Sequence, residues 1–215
     1  MTSSNAPTDL EIAALISSKI CHDVIGPVGA INNGLEILDE EDDPNARTYA
    51  LDMIRNVTQT ASAALQFARF AFGASGSAGA LIDLTMAEQI SRGYVVQGKG
   101  KHKLTWSGPP GHMQKDKVKL LLNLVAAAIT ALPRGGEIAV TIAGGVDAPT
   151  FEIKCVGTGA RPPQYLPEFI AKVGAPPLDA LTIQAYYTAR LADTAGMVLS
   201  IAKSDADVLL SARAA

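Results

Sequence analysis

The sequence predicts an α+β protein in two parts: an N-terminal helical hairpin that forms a dimeric four-helix bundle, then an α/β-sandwich domain. Three observations lead there. Apolar residues between Thr8 and Phe72 recur at intervals of three and four, the period of a helix face. A stretch of small residues, GASGSAGA at 73–80, has the composition of a flexible linker. Beyond it, short β-type runs alternate with helical stretches, the pattern of a sheet layered with helices. The expected boundaries are 1–74 for the hairpin, 75–80 for the linker and 81–215 for the second domain.

The first helix opens on Thr8 and Glu11, which have the spacing of a capping box. Ile16, Ile20, Val24, Ile31, Leu35 and Leu38 then form one stripe. The acidic run DEEDDPN ends it, offering N-cap candidates and placing Pro44 in the first turn of a second helix. That helix carries Leu51, Ile54, Thr58, Ala61, Leu65, Ala68 and Phe72, the seam of a bundle. One hairpin cannot bury both stripes. Cover comes either from a second copy, giving a homodimer of C2 type, or from the second half of the same chain. In that half, strands are expected at KLTWS, EIAVTIA, TFEIKCV, VLSIA and VLLSA, and helices near Thr85–Val96, Asp116–Leu132 and Leu178–Thr194.

Composition narrows the function classes. With 215 residues, 48% of them apolar, the chain can fill a core. A net charge of −3 argues against nucleic acid, which needs a basic face. Two cysteines, Cys21 and Cys155, make neither a disulfide framework nor a zinc cluster. The start MTSSNAPTD lacks the basic and apolar runs of a signal peptide, and no run of about 18 uncharged apolar residues occurs. The expectation is a cytoplasmic protein with no membrane partner.

The chain has three histidines, and one of them stands out. At about 100° per residue, the apolar stripe of the first helix lies within about 60° of Ile20, while His22 falls at about 200°. A histidine buried in the core fits that placement poorly. Ser18, Gly26, Gly29 and Asn33 share the face of His22, and helical glycine costs about 1 kcal/mol against alanine. Such a flat surface suits close approach by another protein; alternatively, the glycines serve tight packing within the hairpin. Pro27 should bend the helix just beyond the histidine. His102 and His112, in strand and loop sequence, receive no role.

HDVIGP (22–27) resembles the H-box of two-component sensor histidine kinases: a phosphorylatable His, an acid next to it, and Pro five positions on. The second half is similar to the ATP-binding (Bergerat) domain of the same kinases. LLLNLVAAAITALPRGGEIAVTI resembles the N-box helix and the strand after it, FEIKCVGTGARPP the G1 box, and AYYTARLADTAGMVLSI the last helix and strand. The departures matter most. Asn123 matches the first N-box asparagine, but the position of the Mg²⁺-holding one is Ala127. The adenine-binding aspartate of G1 is Cys155, beside Gly157 and Gly159. The glycine-rich G2 turn would fall on LTIQ, 181–184, without a glycine. Mg²⁺-triphosphate needs oxygen ligands and close backbone amides, so this half is expected to keep the fold and to have lost ATP. GYVVQGKG (93–100) half-matches a phosphate-binding loop but lacks its Ser/Thr and a preceding strand.

A kinase-like bundle fused to a degenerate ATPase-like domain is similar to the ChpT-type bacterial histidine phosphotransferases of cell-cycle phosphorelays. The resemblance implies that His22 takes phosphate from the receiver aspartate of a CckA-like hybrid kinase. It then passes the phosphate to CtrA-like and CpdR-like response regulators, without ATP. It implies that Asp23 orients the imidazole or takes a proton; Lys19, one turn before His22, is placed to steady the phosphoryl charge. A helix-surface carboxylate and a solvated lysine are the alternatives for those two. Ser18, Gly26, Gly29 and Asn33 would form the docking face. No cofactor is expected on this chain, Mg²⁺ coming with the receiver. Two other readings stay open: a non-catalytic dimeric adaptor that binds receivers, and an ATP-dependent histidine kinase.

Overall fold

The structure, a computed structural model, describes residues 6–73, 79–97 and 101–215. Two antiparallel helices come first, α1 (Asp9–Glu40) and α2 (Pro44–Ala71). The Thr8 side chain accepts from the Glu11 backbone N–H at 3.2 Å, and the Glu11 carboxylate accepts from the Thr8 N–H at 2.7 Å, the expected reciprocal cap. Asp43, from the acidic run, caps α2 through the N–H groups of Asn45 and Ala46, with Pro44 at its first position. Arg47 closes the hairpin by donating to the Leu38 and Glu41 carbonyls at the end of α1. Helix α1 runs through Pro27 without interruption.

The second domain contains β1 (Leu81–Asp83), α3 (Leu84–Gln97), β2 (His102–Ser107), β3 (His112–Gln114), α4 (Lys115–Ala131), β4 (Gly136–Ala143) and β5 (Thr150–Val156). It continues with α5 (Leu166–Ala171), α6 (Ile183–Ala195), β6 (Met197–Lys203) and β7 (Asp207–Ala214). Five strands form one sheet in the order β2-β4-β5-β7-β6, parallel between β2 and β4 and antiparallel elsewhere. The five expected strands and two of the three expected helices lie where their sequence pattern puts them. The third, α6, starts at Ile183 rather than near Leu178, because Asp179 and Thr182 tie that stretch into a turn. Strands β1 and β3, three residues each, and helix α5 carry too few residues to show a period.

One sheet face is apolar: Ile138 and Val140, Phe151 and Ile153, and Val208 and Leu210 are all buried. Helix α4 lies on this face and is buried on nearly every side, which is why it reads as apolar all round. The end of α2 packs into the same core. Phe67 stacks on Tyr94 of α3, centroids 3.8 Å apart, Phe72 meets Tyr187 of α6 at 5.5 Å, and Asn123 of α4 donates to the Ala71 carbonyl at 3.1 Å.

On α1 the side toward α2 includes Ile16, Ile20, Val24, Pro27 and Gly34, while Leu10, Ile25, Val28 and Leu35 are exposed. On α2, Leu51, Thr58 and Leu65 are likewise exposed. The stripes predict a buried seam at Leu35, Leu51, Thr58 and Leu65; within one chain these positions stay open beside the hairpin contact. Among the described residues α1 alone is long and apolar enough to cross a membrane by length and composition. It carries Lys19, His22 and Asp23 in mid-helix, groups costly to bury in lipid.

Candidate functional site

The middle of α1 divides its polar residues between two faces. The His22 side chain is 78% exposed, and Ser18, Gly26, Gly29 and Asn33 around it are exposed as well. A Cβ added at Gly26 or Gly29 would meet nothing within 4 Å, so neither glycine serves packing within this chain. The packing glycine is Gly34, where a Cβ would lie 2.6 Å from Cγ1 of Ile54. The sequence reading missed it, since its signal was shared with the two glycines on the His22 face.

Asp23 sits at the junction of the two faces, 35% exposed. One carboxylate oxygen lies 3.6 Å from Nδ1 of His22, and the other accepts from the Lys19 ammonium at 2.8 Å. Lys19 is only 16% exposed, so the solvated-lysine alternative does not describe it. It faces α2 and the second domain, its charge engaged by Asp23. The arrangement Lys19–Asp23–His22 leaves Nε2 of the imidazole as the ring nitrogen remote from the acid. A carboxylate beside Nδ1 favours the tautomer with Nδ1–H, which puts the nucleophilic lone pair on Nε2.

The positions that would hold a nucleotide have other roles here. Asn123 is fully buried and donates to the carbonyls of Ala71 and Lys119, at 3.1 and 2.9 Å. The Ala127 side chain offers no oxygen, and its carbonyl accepts from the Thr130 hydroxyl at 2.8 Å. Cys155 is fully buried on the sheet, and burial pushes its thiol up to about 12, so it stays neutral. A Cβ at Gly157 would lie 2.5 Å from the Gly135 carbonyl; this glycine permits two turns to pack together. Where a glycine-rich turn would wrap phosphates, Asp179 Oδ1 accepts from the N–H groups of Leu181 and Thr182 at 2.8 and 2.9 Å. That donor set does not fit Mg²⁺-ATP. Of the loop-like GYVVQGKG, residues 93–97 lie within α3 and 98–100 lie outside the described residues. His102 Nε2 is 3.0 Å from the Leu132 carbonyl, a structural contact at the end of α4. Among the described residues, no group of three His, Cys, Asp or Glu side chains is placed to hold a metal ion.

Comparison with known proteins identifies the family. Residues 84–207 match the family model described as the histidine phosphotransferase C-terminal domain. The chain is 44% identical over 204 residues to protein phosphotransferase ChpT of Brucella abortus (strain 2308), covering 94% of this chain and 95% of that protein. A solved bacterial phosphotransferase shares 40% identity, covering 97% of this chain and 98% of that one, with a TM-score of 0.89.

Proposed function

The chain belongs to the histidine phosphotransferase family and is a phosphotransferase of a two-component phosphorelay; from that premise we propose that His22 carries the phosphate between receiver domains. The observation behind this reading is one exposed imidazole on a face bare of bulk, with a carboxylate 3.6 Å from Nδ1. In the accepting step the Nε2 lone pair attacks the phosphorus of a receiver's aspartyl phosphate. An N–P bond forms, the acyl O–P bond breaks, and its electron pair leaves with the receiver carboxylate. The positive charge that develops on the imidazole is met by the Asp23 carboxylate, 3.6 Å from Nδ1, and Asp23 is held by Lys19. In the donating step the carboxylate of a second receiver attacks phosphorus and the electron pair returns to Nε2. Both bonds are of high energy, so transfer runs either way without nucleotide. Close in-line approach supplies most of the catalysis.

Ser18, Gly26, Gly29 and Asn33 form the docking face in this reading. Partners are a CckA-like hybrid kinase receiver and CtrA-like or CpdR-like regulators, in the cytoplasm, with Mg²⁺ supplied by the receiver. No cofactor belongs to this chain, a view supported by the chemistry of Ala127 and Cys155. The working unit is a homodimer through the hairpin, which would cover the open apolar side formed by Val28, Leu35, Leu51 and Leu65. The test is incubation with a radiolabelled phosphoreceiver or with labelled ATP. Label should pass from the receiver to the wild-type chain, not to His22→Ala, and ATP alone should label neither. A chain that binds receivers but never acquires label is an adaptor, and labelling by ATP restores the kinase reading.

A further inference from the structure

Behind the Lys19–Asp23 pair lies a cavity of about 10 Å³, and its walls come from both domains. Lys19 and Asp23 are contributed by α1, Phe67 and the following Phe72 by the end of α2, Tyr94 by α3 and Gln184 by α6. One feature there is unaccounted for by packing. Nε2 of Gln184 is buried and has no hydrogen-bond partner among the described residues, an arrangement that native proteins seldom keep without a use. Tyr94 lies flat on Phe67, interplanar angle 14°, which fixes its ring at the edge of the same cavity.

We propose that Tyr94 and Gln184 are positioning residues for Asp23: polar groups of the second domain that hold the carboxylate turned toward Nδ1 of His22. The inference rests on His22 being the phosphoacceptor. Asp23 shares its two oxygens between Lys19 and His22, and a carboxylate free to rotate would lose the second partner. Tyr94 and Gln184 line the same cavity as that carboxylate, and the Gln184 amide has no other group engaging it among the described residues. The Tyr94 hydroxyl keeps its proton at neutral pH, and burial first, with the charge of Asp23 second, pushes its pKa up further, to about 12. In this account the nucleotide-type domain keeps a part in phosphotransfer through the acid beside the histidine.

The test is a double-mutant cycle. Gln184→Leu and Tyr94→Phe are made in the wild-type chain and in Asp23→Asn, and kcat and KM are measured for transfer from a phosphorylated receiver domain. In the wild-type background each should lower kcat by about 10- to 100-fold, the cost of a misplaced catalytic group, with KM for the receiver little changed. In the Asp23→Asn background the further loss should stay within about twofold, because the group they act through is gone. Equal losses in both backgrounds, or unchanged kcat in either folded variant, overturn the inference. Should Gln184→Leu fail to fold, Tyr94→Phe decides, since its ring can keep the stack on Phe67. Label retained by His22→Ala would instead end the reading of His22, and the inference with it.

Discussion

His22 owes its standing to exposure as much as to chemistry. With 78% of its side chain in solvent it contributes little packing, so His22→Ala should fold with a stability change within about 0.5 kcal/mol and accept no phosphate. Thermal melting alongside label transfer checks both halves. The helical glycines separate by the same logic. Gly29→Glu meets open space, improves helix propensity and should leave the fold intact, yet block transfer by placing bulk and negative charge where a receiver must approach. Gly34→Ala should do the reverse: it crowds Ile54 and should destabilise the hairpin by about 1–3 kcal/mol while leaving the His22 face unaltered. Normal transfer by a folded Gly29→Glu chain would remove the docking face. The exposure of His22, Gly26 and Gly29 was legible because helical periodicity fixes which residues share a face. The burial of Lys19 was not, since it depends on α2 and α6, and no spacing along the chain places residues 94 and 184 next to residue 23.

Among the elements, α2 has the most to connect. Its first half packs on α1, and its last turn enters the core of the second domain through Phe67, Ala71 and Phe72. Asn123, which resembles the first N-box asparagine in sequence, has a structural use here, since its amide holds the Ala71 carbonyl at the C-terminus of α2. Asn123→Ala should leave that carbonyl unpaired and lower unfolding free energy by about 1–3 kcal/mol in urea denaturation. A variant of unchanged stability would mean that Asn123 does not brace the junction. The strands and α4 were readable from alternation and from an all-round apolar helix. Short elements such as β1 and β3 were not, because their pairing is decided across sequence distance rather than by local pattern.

At the scale of the molecule, titration behaviour follows from the core. Cys155 and Tyr94 hold their protons to about 12 in the folded chain, above the ordinary values of 9.0 and 10.0. Between those values and about 12 the folded state therefore binds more protons than the unfolded one, so stability falls as pH rises through that window. Urea midpoints at pH 7 and above pH 10 should show the loss, and Cys155→Val should lessen it; a midpoint that rises with pH would contradict the assignment. The apolar row left open by one hairpin predicts the mass of two chains in sedimentation at micromolar concentration, and a monomer there would remove the four-helix arrangement. The most direct test of the whole account is ³¹P NMR of the chain after incubation, without nucleotide, with a phosphorylated receiver domain. The account predicts a phosphoramidate signal assigned to Nε2 of His22, absent from His22→Ala and discharged when a second, unphosphorylated receiver is added. Phosphate found on another residue, or a signal at His22 that no receiver can discharge, would contradict it.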